Sequence, residues 1–422
     1  MKRTVLCLII QLLIASLMVN EIFSDGLPTT TPEKVGLSSE RLERINKVIQ
    51  NYVDTNRISG AVTLVARHGK TAHIKATGLM DIESGKPMQT NAIFRIASMT
   101  KAFTSVAAMM LYEEGCFLLT DPVSEYIPEF KDLKVLVPAP ESYEHSAAAG
   151  YAIVPAKREM TIRHLLNHTS GLTSTLWQRP YINDMYKNNL GGETTIGEMV
   201  RKLGKLPLYN HPGDAFEYGE STNVLGYLVE VVSGMTLAEF IDIRICEPLG
   251  LDDTFFYVPD DKLDRIATLY RPKPEEGLEP ANKGYRGSQT RFSGTGGLFS
   301  TINDYARFLQ MLLNGGELDG VRILGRKTIE LMTTNSIGDL YSTWPQLHGD
   351  KFGLGFGIRT ERGRFDDIES IGTYSWGGIF NTIFYVDPKE DMICIFMNQL
   401  FPQDHLTIRR QFRVLAFQAI VD

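Results

Sequence analysis

Strand-like sequence lies near both ends of this chain of 422 residues, and helical sequence lies between them. Near the N-terminal end, Ala61–Ala66 and Thr71–Thr77 flank a Gly-containing turn and predict a β-hairpin. Near the C-terminal end, Thr382–Val386 and Met392–Met397 flank a turn-forming stretch and predict a second one. The sequence in the middle of the chain predicts helices that are separated by Pro- and Gly-rich loops. This order predicts one sheet assembled from both ends of the chain, with a helical lobe inserted.

The length of the chain predicts two lobes, because it exceeds what a single core usually holds. We expect one domain over residues 25–422, with an α/β part at about 36–115 and 288–422 and an α-lobe at about 116–287. Two polar stretches, Pro138–Glu159 and Arg271–Gly287, are expected to be surface loops or insertions.

The first 24 residues have the pattern of a secretory signal. Met1, Lys2 and Arg3 precede an apolar run from Val5 to Val19. We therefore expect a signal peptide over residues 1–24 and export to the periplasm or the medium. The run is short for a membrane span, and an uncleaved anchor would make this segment the only contact with a membrane.

Charge and motif content argue against several classes of partner. A formal net charge of −7 argues against nucleic acid and anionic membrane surfaces.

His164 and His168 have the i, i+4 spacing of zinc ligands, but no glutamate follows the first histidine and no cysteine pair lies near. Capping and packing are their expected roles. We expect no metal and no cofactor, and the absence of Gly-x-Ser-x-Gly argues against an α/β-hydrolase nucleophile elbow.

Ser98 and Lys101 form the only Ser-x-x-Lys in the sequence, at the start of an apolar helix predicted over Met99–Glu114. At i and i+3 the two side chains share a helix face. A neutral lysine there can take the serine proton, and the helix N-terminus favours a developing oxyanion. About one such spacing is expected by chance, whereas a lysine on a buried face is costly unless it is paired or neutralised. The spacing alone leaves both interpretations open.

A second motif lies in Pro212–Gly226, a loop that leads into an apolar helix and contains Tyr218. Together with Ser98-x-x-Lys101 it resembles the serine β-lactamase and penicillin-binding protein superfamily, in which a Tyr-x-Asn motif faces the Ser–Lys pair. The resemblance implies that Tyr218 shares or relays the proton with Lys101. A buried tyrosine whose hydroxyl has found a partner is the alternative. Glu220 stands at the position of the family's substrate-contacting Asn, and an ionised carboxylate accepts hydrogen bonds but donates none.

The third motif of that superfamily, Lys-Thr-Gly on an inner strand, is replaced here by Trp376-Gly377-Gly378. This replacement resembles the family VIII carboxylesterases. The resemblance implies that the amides of Ser98 and Ile379 form the oxyanion hole, that the glycines permit close approach, and that Trp376 lines the acyl pocket. A structural aromatic residue beside a strand kink is the alternative for Trp376.

The resemblance extends from about Gly36 to the C-terminus and includes the segments His164–Leu172 and Ser293–Ser300. It implies an α+β, β-lactamase/transpeptidase-like fold: an antiparallel sheet built from both termini, flanked by helices, with an inserted all-α lobe.

The resemblance also implies an exported serine hydrolase that acts through an acyl-enzyme on Ser98, with a small-molecule ester as its substrate. Because Trp376 carries no positive charge for a substrate carboxylate, short- or medium-chain esters are favoured, although Arg291 or Arg359 could restore that charge. A β-lactamase or D-amino-acid-specific peptidase, acting on a lactam or peptide, remains an alternative. A non-catalytic penicillin-binding-like module is a further one.

Overall fold

The computed structural model describes residues 26–138, 150–176, 179, 181–192, 194–273, 277–281, 284–342, 347, 349–361, 363 and 367–422. The predicted signal peptide lies outside these residues. The helices are α1 Ser39–Asp54, α2 Thr100–Glu113, α3 Ile162–Leu166, α4 Ile182–Asn189, α5 Ile196–Leu203, α6 Ser221–Ser233, α7 Leu237–Ile241, α8 Glu247–Leu249, α9 Ile302–Leu313, α10 Arg326–Met332 and α11 Ile408–Phe417. The strands are β1 Gly60–Arg67, β2 Lys70–Asp81, β3 Lys86–Pro87, β4 Phe94–Arg95, β5 Lys134–Pro138, β6 Tyr151–Pro155, β7 Tyr270–Pro272, β8 Leu278–Pro280, β9 Phe299–Ser300, β10 Glu317–Leu318, β11 Val321–Arg322, β12 Lys351–Phe352, β13 Gly357–Ile358, β14 Tyr374–Gly378, β15 Thr382–Asp387 and β16 Met392–Asn398.

An eight-stranded antiparallel sheet forms the centre of the protein, in the order β12-β13-β14-β15-β16-β1-β2-β3. Strands β1 and β16 are neighbours, with Ala61 opposite Asn398. The predicted sheet built from both ends of the chain is thereby confirmed. Both central strands are buried along their whole length, since helices cover both faces of the sheet.

The two faces of the sheet carry separate apolar clusters. Helices α1 and α11 cover one face, and α1 buries Leu42, Ile45, Ile49 and Tyr52 against it, as the helical spacing requires. Ser38 begins α1 by accepting a hydrogen bond from the amide of Arg41. Helices α2 and α9 and the inserted lobe cover the other face. Helix α2 is buried between the sheet and the lobe, and this places its first turn at the junction of the two parts.

The inserted lobe is helical in α3–α8, but the prediction of an all-α lobe needs a correction. Two antiparallel hairpins, β5–β6 and β7–β8, fall within its predicted range of residues 116–287, and β7–β8 packs on the sheet, with Tyr270 in the apolar cluster under α1 and α11. Val135 and Leu136 of β5 are buried, and Leu136 donates its amide to the carbonyl of Leu208. The two polar stretches expected to be loops therefore contribute strand residues, because tertiary pairing overrides their weak local pattern.

Within the described ranges no single helix is long and apolar enough to cross a membrane. One pair, α6 and Leu237–Leu249, passes by length and composition together, but it is bent by 82°.

Candidate active site

The chain enters the site through a 3₁₀ turn, Ala97–Met99, that continues directly into α2. Ala97 has φ +45°, a left-handed conformation that costs a non-glycine residue about 1–3 kcal/mol. The amide of Ile96 donates to the carbonyl of Leu298, which holds the turn from the opposite strand. Ser98 is half-buried, whereas Ala97, Met99 and Thr100 beside it are buried.

Lys101 is 2% exposed, and its Nζ lies 3.1 Å from Ser98 Oγ. The same Nζ donates to the carbonyl of Thr295 at 2.8 Å. Burial lowers the pKa of Lys101 to about 7, against an opposing effect of Glu220. A large fraction of the lysine is therefore neutral near pH 7. A neutral amine that donates to Thr295 still has a lone pair for the serine proton.

Tyr218 is buried and lies over the Ser98–Lys101 pair. Its ring centre is 4.7 Å from Lys101 Nζ, and its hydroxyl interacts with Ser98 and accepts a hydrogen bond from Trp376 Nε1 at 3.0 Å. Burial raises the pKa of Tyr218, while the hydrogen bonds from Ser98 and Trp376 act in the opposite direction. The structure thus brings the three predicted residues together, with a protonated tyrosine beside serine and lysine.

Glu217, next to Tyr218, anchors this loop in the lobe. Its fully buried carboxylate accepts from Thr173 Oγ1 at 2.5 Å and pairs with Arg179 Nη2 at 3.1 Å. Gly219 follows Tyr218, and a Cβ there would lie 2.4 Å from the carbonyl of Leu172. A larger residue would push the loop away. None of these three contacts could be inferred from the sequence, because the partners are more than 35 residues apart.

Glu220 and Asn223 lie at the start of α6 and are joined by a hydrogen bond. Asn223 Nδ2 donates to Glu220 Oε2 at 2.7 Å. Burial raises the pKa of Glu220, whereas the bond from Asn223 and the charges of Lys101 and Arg291 lower it. Arg291 is thus close enough to act on a carboxylate in the site. Sequence reasoning identified Glu220 and assigned Asn223 no role.

Strand β14 supplies the remaining wall, where Gly378 lies against the Ser98 turn. A Cβ at Gly378 would lie 2.4 Å from the carbonyl of Ile96, so a glycine permits this contact. A Cβ at Gly377 would lie 3.1 Å from the carbonyl of Thr382, and Ile379 begins the turn between β14 and β15. The predicted oxyanion segment is therefore adjacent to Ser98.

Trp376, on the same strand, packs its ring 5.0 Å from the rings of both Tyr218 and Phe352. Its hydrogen bond to the Tyr218 hydroxyl was not anticipated from the sequence.

Arg359 does not face this site as an available cation. It pairs with Asp350 at 3.0 Å, Asp367 at 2.9 Å and Glu369 at 2.7 Å, in a cluster that also includes Arg413. Of the two arginines considered for a substrate carboxylate, only Arg291 lies near Glu220.

The two histidines have structural positions. His164 Nδ1 accepts the amide of Thr161 in a capping box, and His168 packs its ring 4.8 Å from the Tyr218 ring. Burial, reinforced by the charge of Lys101, lowers the pKa of His168 and keeps it neutral. In the part of the chain that the structure describes, no group of three His, Cys, Asp or Glu residues could hold a metal ion.

Comparison with known proteins places this arrangement in a family. Protein Rv1367c of Mycobacterium tuberculosis (strain H37Rv) is 34% identical over 364 residues, which are 84% of this chain and 89% of that protein. Esterase EstB of Burkholderia gladioli is 28% identical over 373 residues, 82% of this chain and 86% of EstB. The solved structure of "EstCE1, a hydrolase with promiscuous acyltransferase activity" superimposes with a TM-score of 0.73 at 26% identity, covering 91% of this chain and 99% of that one. The model of the Beta-lactamase family matches residues 45–416, and the chain belongs to that family.

Proposed function

We propose that this protein is a serine hydrolase, and specifically a carboxylesterase for short- or medium-chain esters, that acts through an acyl-enzyme on Ser98. The observation that carries the proposal is the convergence of Ser98, Lys101 and Tyr218 from two distant segments. The family and the esterases EstB and EstCE1 among the similar proteins support a hydrolase.

In the proposed reaction Ser98 Oγ attacks the ester carbonyl carbon while its proton passes to neutral Lys101 Nζ. The carbonyl oxygen becomes an oxyanion, which the amides of Ser98 and Ile379 stabilise. The C–O bond to the alcohol breaks, and the proton on Lys101 is relayed through the Tyr218 hydroxyl to the leaving oxygen. A water molecule then attacks the acyl-enzyme and gives up its proton by the same groups in reverse. The carboxylic acid leaves and Ser98 regains its proton.

The charges around the site support neutral substrates. Trp376 occupies the position where the superfamily has a lysine for the substrate carboxylate, and Glu220 adds a carboxylate of its own. A missing charge-assisted hydrogen bond is worth about 1.5–3 kcal/mol, or about one to two decades in rate. Arg359 cannot compensate, because three carboxylates already surround it.

One observation favours the second candidate, a β-lactamase or a D-amino-acid-specific peptidase. The positive charge of Arg291 lowers the pKa of Glu220, so Arg291 lies near that carboxylate. If Glu220 were protonated, Arg291 would be a cation for a lactam or peptide carboxylate. We rank this below the esterase because Glu220 offsets the charge of Arg291.

Initial rates on p-nitrophenyl butyrate and on a chromogenic cephalosporin test the proposal, with wild type, Ser98→Ala and Trp376→Lys in parallel. Ser124→Ala, a serine in the lobe bonded to Glu159, is the matched control. We expect ester turnover that exceeds lactam turnover, disappears in Ser98→Ala and persists in Ser124→Ala. Ester turnover at the wild-type rate in Ser98→Ala would refute Ser98 as the nucleophile. An unchanged ester-to-lactam ratio of rates in Trp376→Lys would refute the argument from charge.

We also propose export, on the N-terminal sequence pattern alone. Fractionation of cells that express the full chain tests this, and protein confined to the cytosol with an intact N-terminus would contradict it.

A further inference from the structure

Asn223 is a buried side chain, 4% exposed, whose two ends face partners of opposite kinds. Its Oδ1 accepts from Ser293 Oγ at 3.0 Å and from the amide of Thr295 at 3.2 Å. Its Nδ2 donates to Glu220 Oε2 at 2.7 Å. Two donors at one end and a carboxylate at the other permit only one orientation of the amide group. Glu220 and the amide of Thr295 together fix which way Asn223 faces.

Thr295 connects this arrangement to the nucleophile. Asn223 holds the amide of Thr295, and the carbonyl of the same residue accepts from Lys101 Nζ at 2.8 Å. Lys101 Nζ in turn lies 3.1 Å from Ser98 Oγ. The segment packs closely against α6, because a Cβ at Gly294 would lie 2.6 Å from the carbonyl of Thr222. A continuous hydrogen-bonded path thus runs from the carboxylate at the start of α6 to the attacking hydroxyl.

We propose that Glu220 and Asn223 are a positioning pair, in which Glu220 orients Asn223 and Asn223 holds Thr295 so that its carbonyl keeps Lys101 against Ser98. The proposal rests on Ser98 and Lys101 having the roles given above. In this proposal Glu220 acts on the protein itself, by orienting Asn223. The superfamily has at the same position an asparagine that contacts the substrate. The Asn223 side chain needs two hydrogen-bond donors beside its oxygen and one acceptor beside its nitrogen. Variants that keep or remove these partners therefore test the proposal.

Exchanging the two side-chain types keeps one carboxylate and one amide in the pair. In Asn223→Asp, the new carboxylate faces Glu220 Oε2 at the distance of the present hydrogen bond, where like charges repel or must share a proton. In Glu220→Gln, the amide oxygen still accepts from Asn223. In the double variant, the new amide at position 220 can donate to the new carboxylate at position 223, whose other oxygen accepts from Thr295. The single aspartate variant breaks the path and the exchange restores it.

The experiment measures the rate at which a fluorophosphonate probe labels Ser98, because this rate reports the reactivity of the hydroxyl whatever the natural substrate is. Labelling is measured at pH 9, because Lys101 has a pKa of about 7 and is neutral there. A change in the charge of residue 220 then does not alter the protonation of the lysine. We expect labelling at least about tenfold slower in Asn223→Asp and within about threefold of wild type in Glu220→Gln and in the double variant.

Asn46→Asp is the matched control, because Asn46 also donates to a glutamate three residues earlier, Glu43, on the outer helix α1. It should label at the wild-type rate. A double variant no faster than Asn223→Asp, or Asn223→Asp equal to wild type, would overturn the proposal.

If Asn223→Asp does not fold, Glu220→Ala and Glu220→Gln are compared instead. The alanine variant should label at least about fivefold more slowly, and equal rates would overturn the proposal. Wild type that labels at Ser98 but turns over no ester would contradict the esterase function and leave this comparison intact. Wild type that does not label would refute the nucleophile itself.

Discussion

Replacing Trp376 by Phe removes the hydrogen bond to the Tyr218 hydroxyl and keeps an aromatic ring on strand β14. The bond is 3.0 Å long, and both side chains are less than 10% exposed, so water does not readily replace the lost donor. In the proposed proton relay the Tyr218 oxygen gains negative charge. A hydrogen bond to a charged group is worth about 1.5–3 kcal/mol, so kcat should fall about tenfold to a hundredfold. Loss of indole packing against Phe352 should lower stability by on the order of 1–2 kcal/mol.

The assay measures kcat and KM on p-nitrophenyl esters of increasing acyl length, for wild type, Trp376→Phe, Tyr218→Phe and the double variant. If Trp376 acts through the Tyr218 hydroxyl, its replacement lowers kcat in wild type and has little further effect in Tyr218→Phe. If Trp376 only lines the acyl pocket, its replacement changes KM and chain-length preference in both backgrounds. A kcat within about twofold of wild type would refute the reasoning.

Buried charges lead to three further predictions. Because Lys101 with a pKa of about 7 must be neutral to accept a proton, kcat/KM on p-nitrophenyl butyrate should rise with pH through about 7 and level off; a rate independent of pH between 5 and 9 would contradict this. Glu217→Gln removes the charge that pairs with Arg179 Nη2 and should destabilise the protein by about 1.5–3 kcal/mol in urea unfolding, whereas an unchanged midpoint would show that the ion pair contributes nothing. Burial raises the pKa of Asp304 to about 7, so this carboxyl ionises at lower pH in the unfolded state than in the folded state. The free energy of unfolding of wild type should therefore fall by up to about 4 kcal/mol as the pH rises from 4 to above 7. Asp304→Asn should be more stable than wild type at pH 8 but not at pH 4, and stability profiles that run parallel for the two proteins would refute the assignment.

The parts of the site that depend on local geometry could be predicted from the sequence. Ser98 and Lys101 are one helical turn apart, and the start of a helix brings them together regardless of the rest of the chain. The hairpin β15–β16 is likewise a local pattern, and its alternation of turn and strand residues is visible in the sequence. Tyr218 required the resemblance to a family, because its loop is about 120 residues from Ser98.

Contacts that depend on tertiary packing could not be predicted. Arg359 was considered as a cation for substrate, but a fold that buries it among Asp350, Asp367 and Glu369 uses its charge for structure. The bond between Trp376 and Tyr218 joins residues 158 positions apart. Asn223 offered one signal that was available: its place three residues after Glu220 at a helix start puts both on one face.

The pairing of β1 with β16 has a consequence for how the molecule is made. Its central pair of strands joins residues more than 300 positions apart, so the two sides of the core meet only after a long loop has closed. During synthesis β1 and the Ser98 helix emerge early and wait, with their apolar faces uncovered, until the last strands leave the ribosome. Strand β14 and the predicted oxyanion segment are also synthesised late. The growing chain therefore contains the proposed nucleophile long before the rest of the proposed site, and it is in this interval that aggregation or chaperone binding competes with folding.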